Sequence, residues 1–215
     1  PATKFVPDWY KKQADNTECP VTGLKNIPTM KRCIPVRDFI TSGYIIPAWM
    51  DIHVAKNHEG QFEDLTRAEG PWKTGVNVNL EWHPQKQVEN TPLCDFTDGE
   101  KILKICNPWL ITTPKGYSTL FVSPFYTSSD FTILPAVVDT DHHSVLINFP
   151  TIVTSDNAFL EQGAPLIQAI PFRRESWASS VSAYDDYTLH KENIGYMSHI
   201  KSLYTKKFWR RKRYR

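Results

Sequence analysis

Apolar positions along the chain come in short runs separated by proline, glycine and polar clusters, a rhythm that predicts strands more than helices. "VNVNLEWH" sets Val76, Val78 and Leu80 against Asn77, Asn79 and Glu81, the period of two of a half-buried strand. "KILKICNPWLITTPKGYSTLFVSPF" predicts two more strands around a turn at "TPKGY". "PVRDFITSGYIIPAWMDIHV" predicts a helical turn with Pro35 at its first position and Gly43 as its C-terminal cap. A strand from Tyr44 to Val54, bent at Pro47, follows.

Residues 55 to 75 are polar and glycine-punctuated, a loop or weak hairpin. In "FTILPAVVDTDHHSVLINFP", Val145, Ile147 and Phe149 share one strand face. "FLEQGAPLIQAIPF" predicts a glycine-centred turn and a final strand from Leu166 to Phe172. The period changes only near Asp185, where Ile194, Met197, Ile200 and Tyr204 recur at helical spacing. Residues 1 to 32 show little periodicity and read as an extended arm with turns at "CPVTG" and "NIPT".

The pattern therefore predicts a mainly β protein, a jelly-roll-like barrel or, as a family resemblance implies, a β-clip-like one, with an N-terminal extended arm and a C-terminal helix. Its partition is arm 1–32, β-domain 33–176, and helix with basic tail 177–215. Sixteen Pro against nine Gly, and an aromatic content of 13%, agree with a β- and loop-rich chain. No apolar run approaches the ~20 residues a membrane helix needs. The opening "PATKFVPDWYKKQ" lacks the apolar core of a signal peptide, and Pro1–Ala2 suits removal of an initiator Met. Cys19, Cys33, Cys94 and Cys106 form no C-x-x-C pair, so reduced and mostly buried thiols are expected.

Charge changes the picture at one end. The chain carries +2 and its last ten residues, "KKFWRRKRYR", carry +7, so the rest carries −5. Lys206, Lys207, Arg210, Arg211, Lys212, Arg213 and Arg215 surround Trp209. Three fates suit such a tail. Its cations can neutralise phosphates while its rings stack on bases, it can dock on an acidic protein surface, or it can fray in solvent.

The second charge cluster is "VVDTDHH". In an extended strand Asp139 and Asp141 point to one face about 6–7 Å apart, with His142 on the other face. Two carboxylates so placed repel by roughly 2–3 kcal/mol at an effective dielectric near 20. A metal, a shared proton or solvent screening would relieve that. Asp51, His53, Asp141 and His143 are the candidate metal ligands, since "DIH" repeats the i, i+2 spacing and two histidines with one carboxylate suit non-haem iron. There is no nucleophile elbow, P-loop or dinucleotide-binding glycine motif.

Two resemblances add to this reading. From residue 110 to 172, "LITTPKGYSTLFVSP", "ILPAVVDTDHH" and "INFP…FLEQGAPLIQAIPF" resemble the strand pairs and the D-x-D motif of the dUTPase and dCTP deaminase superfamily. That resemblance implies a trimerising β-clip barrel, with Asp139 activating water and Gln168 on the closing strand. The chain departs from it in having His142 for the aromatic that stacks on deoxyribose, no P-R-S-S element, and no glycine-rich phosphate cap unless "RRKRYR" substitutes. "NPWLITTPKGYSTLFVSP", "AVVDTDHH" and "PFRRESW" are similar to an uncharacterised protein family of marine phages, which implies a viral source and no chemistry.

The leading expectation is a non-enzymatic phage protein, a structural or assembly (virion-associated) oligomeric binding module. Its partners would be itself, as a homo-oligomer such as a trimer, or other virion proteins, with nucleic acid a further partner for the tail. It would lie in host cytoplasm or virion, with no membrane partner and no cofactor. The alternatives are a dUTPase- or dCTP deaminase-like hydrolase using Asp139, and a metal-dependent oxygenase holding a divalent metal.

Overall fold

The computed structural model describes residues 1–66, 80–93, 102–181, 183 and 204–214. Within it the chain forms two compact units. One is Pro1–Pro7 with Ile40–Arg174, the other Asp8–Phe39 with Glu175–Arg215. Both cut across the arm, domain and tail division expected from the sequence.

The strands in chain order are β1 (Asn16–Thr17), β2 (Ile27–Pro28), β3 (Tyr44–Pro47), β4 (Ile52–Lys56), β5 (Phe62–Asp64), β6 (Leu80–Trp82) and β7 (Ile102–Cys106). They continue as β8 (Tyr117–Val122), β9 (Phe131–Ile133), β10 (Ala136–Val138), β11 (Asn148–Val153), β12 (Asn157–Leu160) and β13 (Pro165–Arg173). The helices are α1 (Asp8–Lys12) and α2 (Ile34–Ile40). The protein is mainly β, and every strand pair among the described residues is antiparallel.

Three sheets build the larger unit, with strand orders β10-β8-β13-β3, β6-β7-β11-β9 and β12-β4-β5, and none closes into a barrel. The inner faces follow from register. Leu80 lies opposite Ile105 and Ile105 opposite Phe149, so all three point into one core with Leu103, Ile133 and Val153. The other face of the same strands carries Glu81 against Lys104, an ion pair at the surface. In the β12-β4-β5 sheet, Ile52 and Val54 are buried while His53, between them, faces outward. Phe121 and Phe149, with ring centroids 5.2 Å apart, join two of the sheets.

Pro47 does more than bend a strand. It ends β3, which pairs with β13, and the chain re-enters a different sheet as β4, so the single expected strand is two. Pro47 has no backbone donor to give, and the Ala48 N–H donates to the Ala164 carbonyl at 2.8 Å before the chain turns away. Gly43, just ahead, has φ +65°, and a Cβ there would meet the carbonyl of Ala169 on β13. Only glycine permits this close approach of β3's entry to its partner.

Other expectations resolve similarly. The two strands flanking "TPKGY" are β7 and β8, but each joins a different sheet instead of pairing across the turn. The weak hairpin after residue 55 exists as β4–β5. Val145 precedes β11 and is exposed, whereas Ile147 and Phe149 are buried as expected. Val76, Val78 and most of the expected C-terminal helix lie outside the described residues; within them, Tyr204–Phe208 forms one π-helical turn.

The second unit corrects the extended arm. Its first residues form α1, and β1 and β2 then pair as a two-stranded ribbon. The connecting turn closes on Gly23, whose N–H donates to the Cys19 carbonyl at 2.9 Å. Tyr10 is buried with its hydroxyl donating to the Lys31 carbonyl. Lys31 Nζ in turn donates to the carbonyls of Lys11 and Gln13. A lone arm could not satisfy these groups; side chain-to-backbone bonds replace sheet ladders here. Cys19, Cys33 and Cys106 are free thiols, of which only Cys106 is buried, and Cys94 lies outside the described residues.

Candidate functional site

Three strands deliver the Asp139 region to one end of a sheet. β8 pairs with β10 so that Val138 sits opposite Thr119, and with β13 so that Arg173 sits opposite Tyr117. The chain therefore leaves β10 at Asp139 and leaves β13 at Arg174, both beside the entry to β8. The Arg174 N–H donates to the Gly116 carbonyl at 2.8 Å, fixing the register one residue past the ladder.

Beyond Val138 the chain turns instead of continuing as a strand. The N–H groups of His142 and His143 both donate to the Asp139 carbonyl at 2.9 Å. This changes the geometry expected for an extended "DTDHH". Thr140 turns inward, where its hydroxyl meets those of Thr113 at 2.7 Å and Thr119 at 2.9 Å. The three hydroxyls satisfy one another in a place that water hardly reaches.

Asp141 is the centre of the site. Its side chain is 1% exposed, against 64% for Asp139. Arg174 meets it with a two-pronged fork, Nη1 donating to Oδ1 at 2.8 Å and Nη2 to Oδ2. The Gly116 N–H donates to the same Oδ2 at 2.7 Å, from a backbone with φ +88°. Arg174 Nη1 also reaches Asp139 Oδ1 at 3.2 Å, and the Ser118 hydroxyl donates to that oxygen at 2.6 Å. Its remaining contacts are the Tyr117 carbonyl at 2.9 Å and Ser118 Oγ at 3.1 Å.

The electrostatics follow from this packing. The bonds from Arg174, then the Gly116 amide and the guanidinium charge, hold the Asp141 carboxyl far below the usual carboxylate range against the opposing effect of burial. Asp141 and Asp139 in turn push the Arg174 guanidinium up. The repulsion between the aspartates, expected to need a metal, a proton or solvent, is relieved by a cation from another strand. His142 Nε2 lies 3.6 Å from Asp141 Oδ2 but is 72% exposed, so it adds little.

The candidate metal ligands separate. Asp51 Oδ1 accepts from the Gln162 N–H at 2.7 Å, capping the turn at Gly163. His53 Nε2 lies 2.8 Å from Asn157 Oδ1, and its ring meets Phe159 edge-on. Asp141 is held by Arg174, and His143 Nδ1 is buried with no hydrogen-bond partner among the described residues. Among the described residues no group of three His, Cys, Asp or Glu side chains is placed to hold one metal ion. Gln168 is buried on β13 and donates to the Ser42 carbonyl at 2.9 Å.

The tail forms a second site, inside the second unit. The Trp209 indole N–H donates to Asp38 Oδ2 at 2.7 Å, and Lys212 pairs with the same oxygen. The Arg37 guanidinium lies 5.2 Å from the Trp209 ring centroid. The side chains of Lys206, Arg210, Arg211 and Arg213 are exposed and make no ion pair among the described residues. Arg215 and the Lys207 side chain lie outside the description.

Sequence reasoning missed Arg174 as the partner of both aspartates. Its signal was present in "PFRRESW", two arginines directly after the last strand, but only the order β10-β8-β13 shows which carboxylates they meet. Compared with known proteins, no family model matches the chain and no curated protein is similar to it.

Proposed function

We propose that the chain is a non-enzymatic structural or assembly protein of a phage particle, a self-associating binding module on a β-clip-like or jelly-roll-like scaffold. The observation that carries this reading is the closed Asp139–Asp141–Arg174 corner. A water-activating carboxylate needs an oxygen facing substrate and a pKa near working pH. Asp141 has neither, and Asp139 spends Oδ1 on Ser118 and Arg174. The groups that would make a catalytic centre are here used to tie three strand ends together.

Self-association has a candidate surface on the β10-β8-β13 sheet. Val137 lies opposite Leu120 and Leu120 opposite Ile170, so the three share a face, with Phe172 next along it. Val137 is 58% and Phe172 41% exposed, an apolar stripe suited to burial against a second copy. Light scattering of the purified chain tests this. A multimer of defined size that falls apart on Val137→Glu and Phe172→Glu is expected; a monomer at every concentration sinks the assembly reading. Detection of the chain in purified particles of the phage that encodes it tests the viral setting.

One observation favours a second reading, a dUTP- or dCTP-directed hydrolase. Asp139 keeps most of its side chain open to water beside the Ser118 hydroxyl. Turnover of dUTP or dCTP that vanishes in Asp139→Asn would replace the first proposal with this one.

A further inference from the structure

The two compact units differ in charge. Asp8–Phe39 with Glu175–Arg215 holds fifteen Lys and Arg against eight Asp and Glu, +7, while the other unit holds ten against fifteen, −5. Within the basic unit the tail is fixed at one point. Trp209 and Lys212 both engage Asp38, and Arg37 covers the Trp209 ring. That anchor uses one carboxylate. It leaves Lys206, Arg210, Arg211 and Arg213 exposed, without ion pairs among the described residues, on both sides of the anchored tryptophan.

We propose that this anchored tail is a nucleic-acid-binding surface that grips the phosphodiester backbone. The inference does not depend on the reading given under Proposed function. Three of these four cations are arginines, whose planar fork matches phosphate oxygens bidentately. Phe208, 48% exposed between Lys206 and Arg210 and with its ring 6.4 Å from that of Tyr204, adds aromatic surface beside the backbone contacts, which an acidic polypeptide would not use. The fixed tryptophan lowers the entropy lost when the flanking cations engage, because that part of the tail is already positioned.

The test is fluorescence anisotropy of the full chain with labelled 20-nucleotide single-stranded and duplex DNA across a salt series. Four phosphates engaged predict a slope of log K against log salt of about −3 for single strands and nearer −4 for duplex. Replacing Arg210, Arg211 and Arg213 together by Ala should leave a slope of about −1 or weaker. Because one variant can fold poorly, Arg210→Gln, Arg211→Gln and Arg213→Gln are also made singly, each expected to reduce the slope by a little under one. A slope that these substitutions leave unchanged overturns the proposal. So does poly-glutamate that competes as well as DNA at equal charge, since the partner is then an acidic protein. Loss of competition by poly-glutamate, with DNA binding retained in Phe208-intact protein and weakened several-fold in Phe208→Ala, supports it.

Discussion

The corner at Arg174 and the tail at Trp209 are both built from clustered charge, and they end in opposite states. At the corner, two carboxylates within three residues of each other are drawn onto one guanidinium, and the inner one is sealed from water. At the tail, one carboxylate gathers Trp209, Lys212 and Arg37, and four cations remain exposed. Closed charge stabilises a fold; open charge is available to a partner. The difference is in where the counter-charge sits. The corner's is delivered by a neighbouring strand of the same sheet, whereas the tail lies in a unit with almost twice as many cations as anions.

Arg174→Met is the sharpest way to break the corner, and the largest effect expected. It leaves the Asp141 carboxylate buried without its cation and beside Asp139, which is the costly form of a broken ion pair. A fall in Tm of several degrees at pH 7, read by calorimetry, is expected. The sign with pH follows from the carboxyl's depressed pKa. The wild-type contribution is in place above about pH 4, the ordinary aspartate value, and is lost only on acidification below it. In the variant, protonation relieves the buried charge, so the Tm gap between the two proteins should narrow as pH falls towards 4. A gap that is flat with pH would mean that packing of the arginine stem, not its charge, matters at this position.

The two aspartates should then separate by burial. Asp141→Asn keeps the shape but loses the charge facing the fork, and should lower Tm by a few degrees. Asp139→Asn, at a mostly exposed position, should lower it by ~1 °C or less. Equal effects would show that the corner is solvated and that its charges are not distinguished by depth.

These contrasts also mark what could be read along the chain. Period-two alternation located Leu80–Trp82, and apolar runs bounded by turn residues located Ile102–Cys106, Tyr117–Val122 and Pro165–Arg173, because both signals are local. It could not show that β7 and β8, adjacent in sequence, join different sheets, because pairing is set by long-range burial. The same gap hid the site. Asp139 and Asp141 were conspicuous as a spacing, but their partner lies 33 to 35 residues away and is adjacent only through the β10-β8-β13 order. The basic tail was legible as composition alone. Its anchor on Asp38, 171 residues distant, was not.

Salt should separate the regions without any mutation of the fold. At 1 M the screening length falls to about 3 Å, which removes contacts between exposed charges but hardly reaches a carboxylate shielded by the protein. The Tm penalty of Arg174→Met should therefore persist in 1 M NaCl, measured as the difference between variant and wild type. DNA binding by the tail should be abolished under the same conditions. If the penalty disappears with salt, the corner is as open as the tail and the contrast between them fails.

The smallest expected effect tests the anchor itself. Asp38→Asn keeps an acceptor for the Trp209 indole but removes the charge that holds Lys212. Global Tm should shift by no more than ~1 °C, since Lys212 is 47% exposed and the indole keeps an acceptor. Trypsin should cut between Arg210 and Arg213 several-fold faster, because the anchor then keeps the indole bond without the Lys212 pair. Freed Lys212 adds a fifth cation, so the salt slope of DNA binding should steepen by a little under one. A slope that instead becomes shallower would show that Asp38 positions the tail cations for phosphate, and that the anchor contributes more to binding than the charge it occupies.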